Sequence, residues 1–228
     1  MVEEDPAAFW DARFAGEDYW YGNAPNAWLA REAGRLRPGG AVLVTADGEG
    51  RNGVWLAGRG FRVTAVDVSA RGLEKARRLA ERHGVSLEFE RADLRSWPWP
   101  EARFDAVVAI FAHFAPEVRT ILHRRMLQAL VPGGLLLLEA YTPEQLRHGT
   151  GGPRDPALLY RATDLRADFV DAELLLLEEV ETELAEGIGH RGRSAVVRLI
   201  ARRPAAICGQ GGRPLATTCS TETVEEDR

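Results

Sequence analysis

The sequence predicts an α/β protein with a doubly wound, mostly parallel seven-stranded sheet that ends in an antiparallel strand pair. Three observations predict it. Apolar, β-branched segments alternate with segments of helical spacing through most of the chain, a glycine-rich turn directly follows the first of these strands, and the last two strands have no helix between them. Strand–helix alternation is typical of parallel sheets, whereas directly joined strands pair antiparallel.

Length and composition restrict the class of protein. The 228 residues suffice for one substantial domain, and a net charge of −5 argues against a nucleic-acid-binding surface. The acidic start, MVEEDPAAFW, is not typical of a secretory signal, and no apolar run reaches the roughly 20 residues that span a bilayer. The two cysteines, Cys208 and Cys219, exclude a disulfide framework and make a metal site improbable. We expect a cytoplasmic protein without a membrane partner.

Residues 1–35 form a predicted aromatic arm. Helical patterning covers residues 6–14 and 25–34, with Asn26 as a candidate N-cap of the second helix. Two interpretations stand side by side. In the first, the aromatic rings pack the arm onto the domain; in the second, the arm is a lid over a cofactor, which Tyr21 and Asn26 would touch.

The segment 41–53, AVLVTADGEGRNG, is the first strand and its turn. It satisfies the pattern GxGxxG, which is a weak signal alone. Gly48 and Gly50 lack a Cβ, so that the backbone there bends sharply and can approach a ligand closely. The free N–H groups at the start of the following helix favour a negatively charged ligand group. This turn is the predicted cofactor site.

Acidic residues follow the next two strands. Asp67 ends the strand at residues 61–66, about 20 positions after the glycines, where an acid can bind ribose hydroxyls. Ser69 is the predicted N-cap of a helix over residues 70–83 that Gly84 ends. Asp93 follows the strand at 85–90, and it either reaches an adenine amine or caps the next turn.

Candidate acceptor-side residues follow the fourth strand, residues 104–110. His113 lies just after this strand, which we expect beside the first one, and it is the leading candidate for a substrate contact or proton acceptor. The alternative is a structural histidine. Arg119, near the start of a predicted helix over 116–130, is the candidate for holding an anionic substrate.

The last third completes the sheet. The fifth strand covers residues 135–140, and the glycine-rich stretch 143–156 is a predicted second lid before a helix at 155–168. The final strands are 174–184 and 194–201. The loop between them contains His190; we expect a hairpin turn, with reach into the pocket as the alternative. We expect the domain to cover residues 36–203, and residues 204–228 to have little order and no assigned function.

Together these features resemble the class I S-adenosylmethionine-dependent methyltransferases over roughly residues 9–203. The acid after each of strands two and three and the Pro-Gly-Gly turn before strand five carry this resemblance. The strings Tyr-Gly at 21–22, Pro-Asn at 25–26, GEGRN at 48–52, IFAH at 110–113 and LEAYTP at 138–143 look like the tellurite-resistance and thiopurine methyltransferase-like branch. Val44 and Ala46 depart from it, because many members have an acid and a glycine there; Asp47 or Glu49 is the predicted substitute.

The resemblance implies a Rossmann-like methyltransferase fold, S-adenosylmethionine as cofactor, and no metal. It implies methyl transfer by in-line displacement to a small-molecule nucleophile, with a thiol or a chalcogen oxyanion favoured. The alternatives are a non-catalytic cofactor-binding protein and a nicotinamide-dependent oxidoreductase. The predicted cofactor-binding residues are Tyr21, Asn26, Ala46, Asp47, Gly48, Gly50, Asn52, Asp67, Val68, Asp93, Leu94 and Ile110. The predicted catalytic residues are His113, Arg119, Tyr141 and His190.

Overall fold

The computed structural model describes residues 5–205 of the chain. Cys208, Cys219 and nearly all of the predicted C-terminal tail lie outside the described residues. The helices are α1 (Pro6–Arg13), α2 (Ala27–Glu32), α3 (Arg51–Gly58), α4 (Ala70–His83), α5 (Pro116–Ala129) and α6 (Ala162–Asp168). The strands are β1 (Ala41–Thr45), β2 (Arg62–Asp67), β3 (Glu88–Arg91), β4 (Phe104–Ile110), β5 (Leu130–Tyr141), β6 (Glu173–Glu186) and β7 (His190–Arg202).

All seven strands form one sheet in the order β3-β2-β1-β4-β5-β7-β6. The first five strands are parallel, and β7 pairs antiparallel with both β5 and β6. The predicted fold class is therefore confirmed, including the neighbouring positions of β1 and β4. The inner position of β7 agrees with its sequence, because residues 194–201 are all buried, whereas the residues of edge strand β6 are mostly exposed or half-buried.

Two apolar layers cover the faces of the sheet. On one face, Leu122 and Met126 of α5 pack against β4 and β5 together with Phe169. On the other face, Trp28 of α2 and Leu56 of α3 pack against β1, β4 and β7. Both layers bury continuous apolar strands, as expected for a parallel sheet with helices on each face.

Several element boundaries follow from local signals. Helix α4 has the predicted bounds, since the Ser69 hydroxyl accepts the N–H of Gly72 and Gly84 ends the helix at φ +64°. Strand β4 also has its predicted bounds. The predicted helix over 155–168 is wrong in its first half, because the N–H of Tyr160 bonds to the carbonyl of Tyr141 and so holds an extended backbone; the α-helix begins only at Ala162.

The aromatic arm lies across the carboxyl ends of β1 and β2. The ring of Phe14 is 3.2 Å from the position that a Cβ on Gly48 would take. The Asp11 carboxylate accepts the Ser69 hydroxyl at 2.5 Å, and the Lys75 ammonium donates to the Gly16 carbonyl at 2.9 Å. The arm therefore packs on the domain, directly over the glycine turn.

The glycine turn gives a test of stability that separates steric contact from backbone strain. Gly50 and Gly60 have the same φ of +87°, but a Cβ on Gly50 would lie 2.5 Å from the Ala76 Cβ, whereas one on Gly60 meets nothing within 4 Å. We expect Gly60→Ala to cost about 1 kcal/mol of unfolding free energy from left-handed strain, and Gly50→Ala about 1–3 kcal/mol more. Urea unfolding measures both. Equal losses would show that helices α3 and α4 separate freely at this contact.

Candidate functional site

The turn after β1 closes on itself through Asp47. Both carboxylate oxygens of Asp47 accept the N–H of Gly53, at 3.1 and 3.3 Å, and the carbonyl of Asp47 accepts the N–H of Gly50. Ala46 and Gly48 adopt left-handed backbone, at φ +52° and +58°. Asp47 thus supports the turn from within.

Asp67 lies against this turn from the end of β2. One of its carboxylate oxygens accepts the N–H of Gly48 and the other accepts that of Ser69, both at 2.8 Å. Burial raises the pKa of Asp67 to about 6, and these hydrogen bonds oppose the shift. Because an ionised carboxylate has about four acceptor sites, two remain for a ligand.

Two buried carboxyl groups therefore share the turn. Burial, followed by the neighbouring negative charge of Asp67, raises the pKa of Asp47 to about 8. At neutral pH the pair holds Asp47 protonated and Asp67 ionised, since like charges in a low-dielectric site resist joint ionisation.

A buried polar network connects the arm to the last hairpin. The Asn26 amide donates to Glu139 at 2.6 Å and to Glu186 at 2.9 Å. Arg198 donates to Glu139 at 2.7 Å, and Arg51 pairs with Glu186 at 2.6 Å. Two carboxylates, two guanidinium groups and one amide thus balance one another inside the protein. We call these five residues the buried ion network.

Asn26 has a second role in the network as the N-cap of α2, where its side-chain oxygen accepts the N–H of Leu29. Its own N–H donates to the Asn52 side chain at 2.9 Å. Asn26 and Asn52, both predicted to bind a cofactor, thus bond to each other.

An aromatic cluster lies beside this network, at the ends of β4, β5 and β7. It consists of Tyr21, Phe111, Tyr141 and His190. The ring centroid of His190 lies 4.3 Å from that of Tyr21, 4.4 Å from Phe111 and 5.3 Å from Tyr141. Burial raises the pKa of Tyr141, and its hydroxyl has no hydrogen-bond partner among the described residues.

His113, the leading candidate for proton acceptor, occupies a different role. Its Nδ1 lies 2.7 Å from the carbonyl of Leu158, and its Nε2 accepts the N–H of Tyr141 at 3.3 Å. Burial lowers the pKa of His113 to about 4. The structure contradicts the proton-acceptor role, because both ring nitrogens already bond to backbone groups and hold Tyr141 in place.

Arg119 and Asp93 also have protein partners. Arg119 donates to Asp168 at 2.7 Å, and its guanidinium lies over the Tyr160 ring. This pairing contradicts its predicted role as a free anion-binding group. Asp93 pairs with Arg95 at 2.7 Å and accepts the Arg95 N–H at 2.9 Å, which agrees with the turn-capping alternative.

In the structure, most of the predicted cofactor-binding residues lie together at the carboxyl ends of the parallel strands. Ala46, Asp47, Gly48, Gly50 and Asn52 lie in or beside the turn after β1, Asp67 and Val68 end β2, and Ile110 ends β4. Leu94 is buried in the turn after β3, in the apolar layer of α5.

The sequence prediction missed three functional candidates: Phe14, Arg51 and Phe111. Arg51 was within the GEGRN string, where a charged residue beside two glycines was a usable signal. Phe111 has φ +54°, a strained value that only coordinates show. Nothing in the sequence indicated that Phe14 would reach the turn, whereas the position of Glu186 in the loop with His190 allowed the alternative that it reaches the pocket.

Neither a cation site nor a membrane-crossing segment appears in the part of the chain that the structure covers. Between residues 5 and 205 no group of three or more His, Cys, Asp or Glu side chains could hold a metal ion. No helix in that range is long and apolar enough to cross a membrane.

The known proteins to which this chain is similar include methyltransferases. Residues 42–134 match the family model described as a methyltransferase domain. A ubiquinone biosynthesis O-methyltransferase of Methylocella silvestris is 31% identical over 156 residues, which are 55% of this chain and 60% of that protein. A probable thiol methyltransferase 2 of Arabidopsis thaliana is 27% identical over 160 residues, 67% of this chain and 69% of that protein. The chain spans about half the length of most curated relatives that it matches.

A solved structure shows the same fold. Its title describes conversion of a disulfide bond into a thioacetal group during echinomycin biosynthesis, and it superposes with a TM-score of 0.72 at 23% identity, over 88% of this chain and 93% of that one. The seven-stranded sheet has the Rossmann-like fold of that solved structure, and the match to the methyltransferase-domain model covers residues 42–134 of this chain.

The residues present fit S-adenosylmethionine, the cofactor that the sequence predicts. Asp67 has acceptor capacity left for a ribose diol, and the left-handed backbone of Gly48 and Gly50 bends the turn next to it. The aromatic cluster can stabilise a sulfonium by cation–π attraction, worth about 1 kcal/mol. Val44, a position where the sequence departs from the pattern it resembles, is buried in the apolar layer of α2 and α3.

The buried ion network predicts an unusually large effect at Asn26. We expect Asn26→Ala to lower the free energy of unfolding by about 2–4 kcal/mol, because it removes a helix cap and leaves two buried carboxylates short of donors. Asn26→Asp keeps the capping oxygen but adds a third carboxylate, so a loss of similar size is expected.

The control for Asn26 is Asp5→Ala, which removes the exposed N-cap of α1 and should cost about 1 kcal/mol. Urea unfolding compares the three variants. A loss at Asn26 no greater than that at Asp5 would show that the network contributes nothing beyond the cap.

The raised pKa of Asp47 predicts a stability that depends on pH. Between about pH 4 and pH 8 the unfolded chain ionises Asp47 while the folded protein keeps it protonated. Wild-type stability therefore falls relative to Asp47→Asn as pH rises, by up to about 1.4 kcal/mol per unit. Chemical unfolding at pH 5, 6.5 and 8 measures the difference.

Asp168→Asn is the control, because the pKa of Asp168 is shifted downward whereas that of Asp47 is shifted upward. Burial raises the pKa of Asp168, but hydrogen bonds from His123, Arg119 and Thr120 outweigh it and hold the pKa below its usual range. This variant should be less stable than wild type by an amount that stays constant from pH 5 to 8. A constant difference for Asp47→Asn would show that Asp47 ionises normally in the folded protein.

Proposed function

We propose that this protein transfers a methyl group from S-adenosylmethionine to a small-molecule nucleophile. The single observation that carries the proposal is that three features lie together at the carboxyl ends of the strands: the buried Asp67 carboxylate, a glycine turn, and an aromatic cluster with an unpartnered hydroxyl. The match of residues 42–134 to a methyltransferase domain supports it independently.

Each group has a part in this proposal. The cofactor, when bound, supplies an electrophilic methyl carbon on a sulfonium sulfur. Asp67 accepts the ribose hydroxyls, and the backbone of the Gly48 turn lies beside it. Tyr21, Phe111 and Tyr141 surround the reacting region with aromatic rings, which exclude water and align the acceptor.

The arm acts as a lid in this proposal. Phe14 covers Gly48, and Tyr21 packs on His190, so both must move for ligands to enter. The carbonyl of Trp20 accepts the N–H groups of Ile188 and Gly189, both at 2.9 Å. The arm and the β6–β7 hairpin therefore open and close over the site together.

The favoured acceptor is a soft nucleophile, either a thiol or a chalcogen oxyanion, as expected of the tellurite-resistance and thiopurine-like branch. Two similarities support sulfur chemistry: the relative described as a probable thiol methyltransferase, and the structure whose title concerns a disulfide bond. The local strings at residues 48–52 and 138–143 support the branch.

Titration with S-adenosylhomocysteine tests the cofactor. Because Asp67 must be ionised to accept two hydroxyl groups and its pKa is about 6, we expect the affinity to fall about tenfold from pH 7.5 to pH 5. Asp67→Asn should bind at least about tenfold more weakly at pH 7.5 and lose most of this pH dependence. Calorimetry measures both.

Asp105→Asn is the control, because Asp105 accepts the N–H of Ala41 at the opposite edge of the sheet. It should leave affinity and pH dependence unchanged. Absence of wild-type binding would overturn the proposal, and binding of a nicotinamide cofactor instead would favour an oxidoreductase. Binding without transfer to a broad nucleophile panel would favour a non-catalytic cofactor-binding protein.

A further inference from the structure

Two polar groups without hydrogen-bond partners meet in the aromatic cluster. They are the hydroxyl of Tyr141 and the Nδ1 of His190. A Cβ on Gly151 would lie 3.0 Å from the Tyr141 hydroxyl and 3.2 Å from the Cδ2 of His190, so both groups face the same glycine. The carbonyl oxygen of Gly189 would lie closer still, at 2.5 Å, so residue 151 packs tightly against both groups and only glycine fits there.

We propose that His190, held by Glu186, accepts the proton of a neutral thiol acceptor as the methyl group is transferred. This inference rests on the proposed methyltransferase function and narrows its substrate class. A chalcogen oxyanion is already anionic and needs no base, whereas a thiol, with an ordinary pKa of about 8.5, is mostly protonated at neutral pH.

Glu186 lies beside one nitrogen of His190, within ion-pair distance but beyond hydrogen-bond distance. The Nδ1 of His190 faces a carboxylate oxygen of Glu186 at 3.6 Å. Glu186 is held in turn by Arg51 at 2.6 Å and by the Asn26 amide at 2.9 Å. The Nε2 of His190 has no hydrogen-bond partner among residues 5–205. A base oriented through one nitrogen and open at the other is the arrangement that proton transfer requires.

The other histidines of the described chain do not offer this arrangement. His113 has both nitrogens bonded to backbone. His123 pairs with Asp168 within the buried layer between α5 and α6. His148 faces Glu181 at 3.4 Å on the surface, and His83 is exposed at the end of α4.

The charges around His190 suit a proton acceptor. Burial lowers its pKa, so that the ring is neutral at pH 7, while Glu186 opposes this shift and stabilises the imidazolium that forms. The other titratable or charged groups that face it are Arg51, Tyr21, Tyr141 and His113. Arg51 is largely neutralised by Glu186.

The step balances without another reactant. The thiol proton moves to Nε2 of His190, and the sulfur lone pair forms the new bond to the methyl carbon. The bond from that carbon to the sulfonium sulfur breaks, and its electron pair stays on that sulfur, which becomes a neutral thioether. The proton then leaves His190 to solvent when the site opens.

A series of thiols with graded pKa values tests the proposal on the full chain. At pH 7.5 we expect His190→Gln to lower kcat/KM about 100-fold for an alkyl thiol, but less than about threefold for a nitrothiophenol that is already ionised. The alkyl-thiol activity of this variant should rise about tenfold per pH unit toward the thiol pKa. His83→Gln, on the surface, is the matched control and should behave as wild type.

Nuclear magnetic resonance of the histidine ring nitrogens in the ligand-free protein gives a readout apart from turnover. We expect His190 as the Nδ1–H tautomer, with a pKa that falls further in Glu186→Gln, because that change removes the stabilising carboxylate. An Nε2–H tautomer, or a pKa unaffected by this variant, would overturn the positioning role of Glu186.

The outcomes separate this inference from the proposed function. Equal losses in His190→Gln for ionised and neutral thiols would show a structural role, and no loss would show that another group takes the proton; either result overturns the inference. Failure of the wild type to bind S-adenosylhomocysteine or to methylate any thiol would instead overturn the function on which it rests.

Discussion

The buried ion network is the constraint on which the rest of the site depends. Glu139 and Glu186 are removed from water, and such charges are tolerated only when they are paired and hydrogen-bonded. Their partners come from three separate segments: Asn26 from the arm, Arg51 from the start of α3, and Arg198 from β7. Because none of these groups can leave without stranding another, the network holds the arm and the hairpin in the closed position over the turn and the sheet.

The chemistry of the site follows from this anchoring. Glu186 belongs to the network and also faces His190, so the same carboxylate that holds the hairpin orients the imidazole in the aromatic cluster. His113 extends the support from the other side by binding the backbone of Tyr141. The result is a buried aromatic region beside a glycine turn, in which the Tyr141 hydroxyl has no hydrogen-bond partner among the described residues. The charged groups of the network bind one another and hold the neighbouring segments in place.

Much of the fold was predictable because its signals are local. The cap at Ser69, the stop at Gly84 and the continuous apolar run at 104–110 each depend on a few neighbouring residues, and those boundaries are confirmed. The glycine turn and Asp67 were predictable from spacing along the chain. The predictions failed where a residue distant in the sequence determines the local backbone or engages the side chain. Tyr160 is extended because it pairs with Tyr141, and Arg119 is committed because Asp168 faces it across the packing of α5 and α6.

By itself the sequence determined the strand–helix order, the antiparallel end of the sheet and the acidic residue beyond the glycines, since periodicity, capping and turn chemistry act over short distances. Only the tertiary structure decided which titratable groups are already engaged. His113 and His190 are alike in the sequence, yet one has both nitrogens bonded to backbone and the other has an open nitrogen beside a carboxylate. The difference comes from two backbone groups, 28 and 45 residues from His113 in the sequence, that meet its ring only in the folded protein, and no local pattern encodes these contacts.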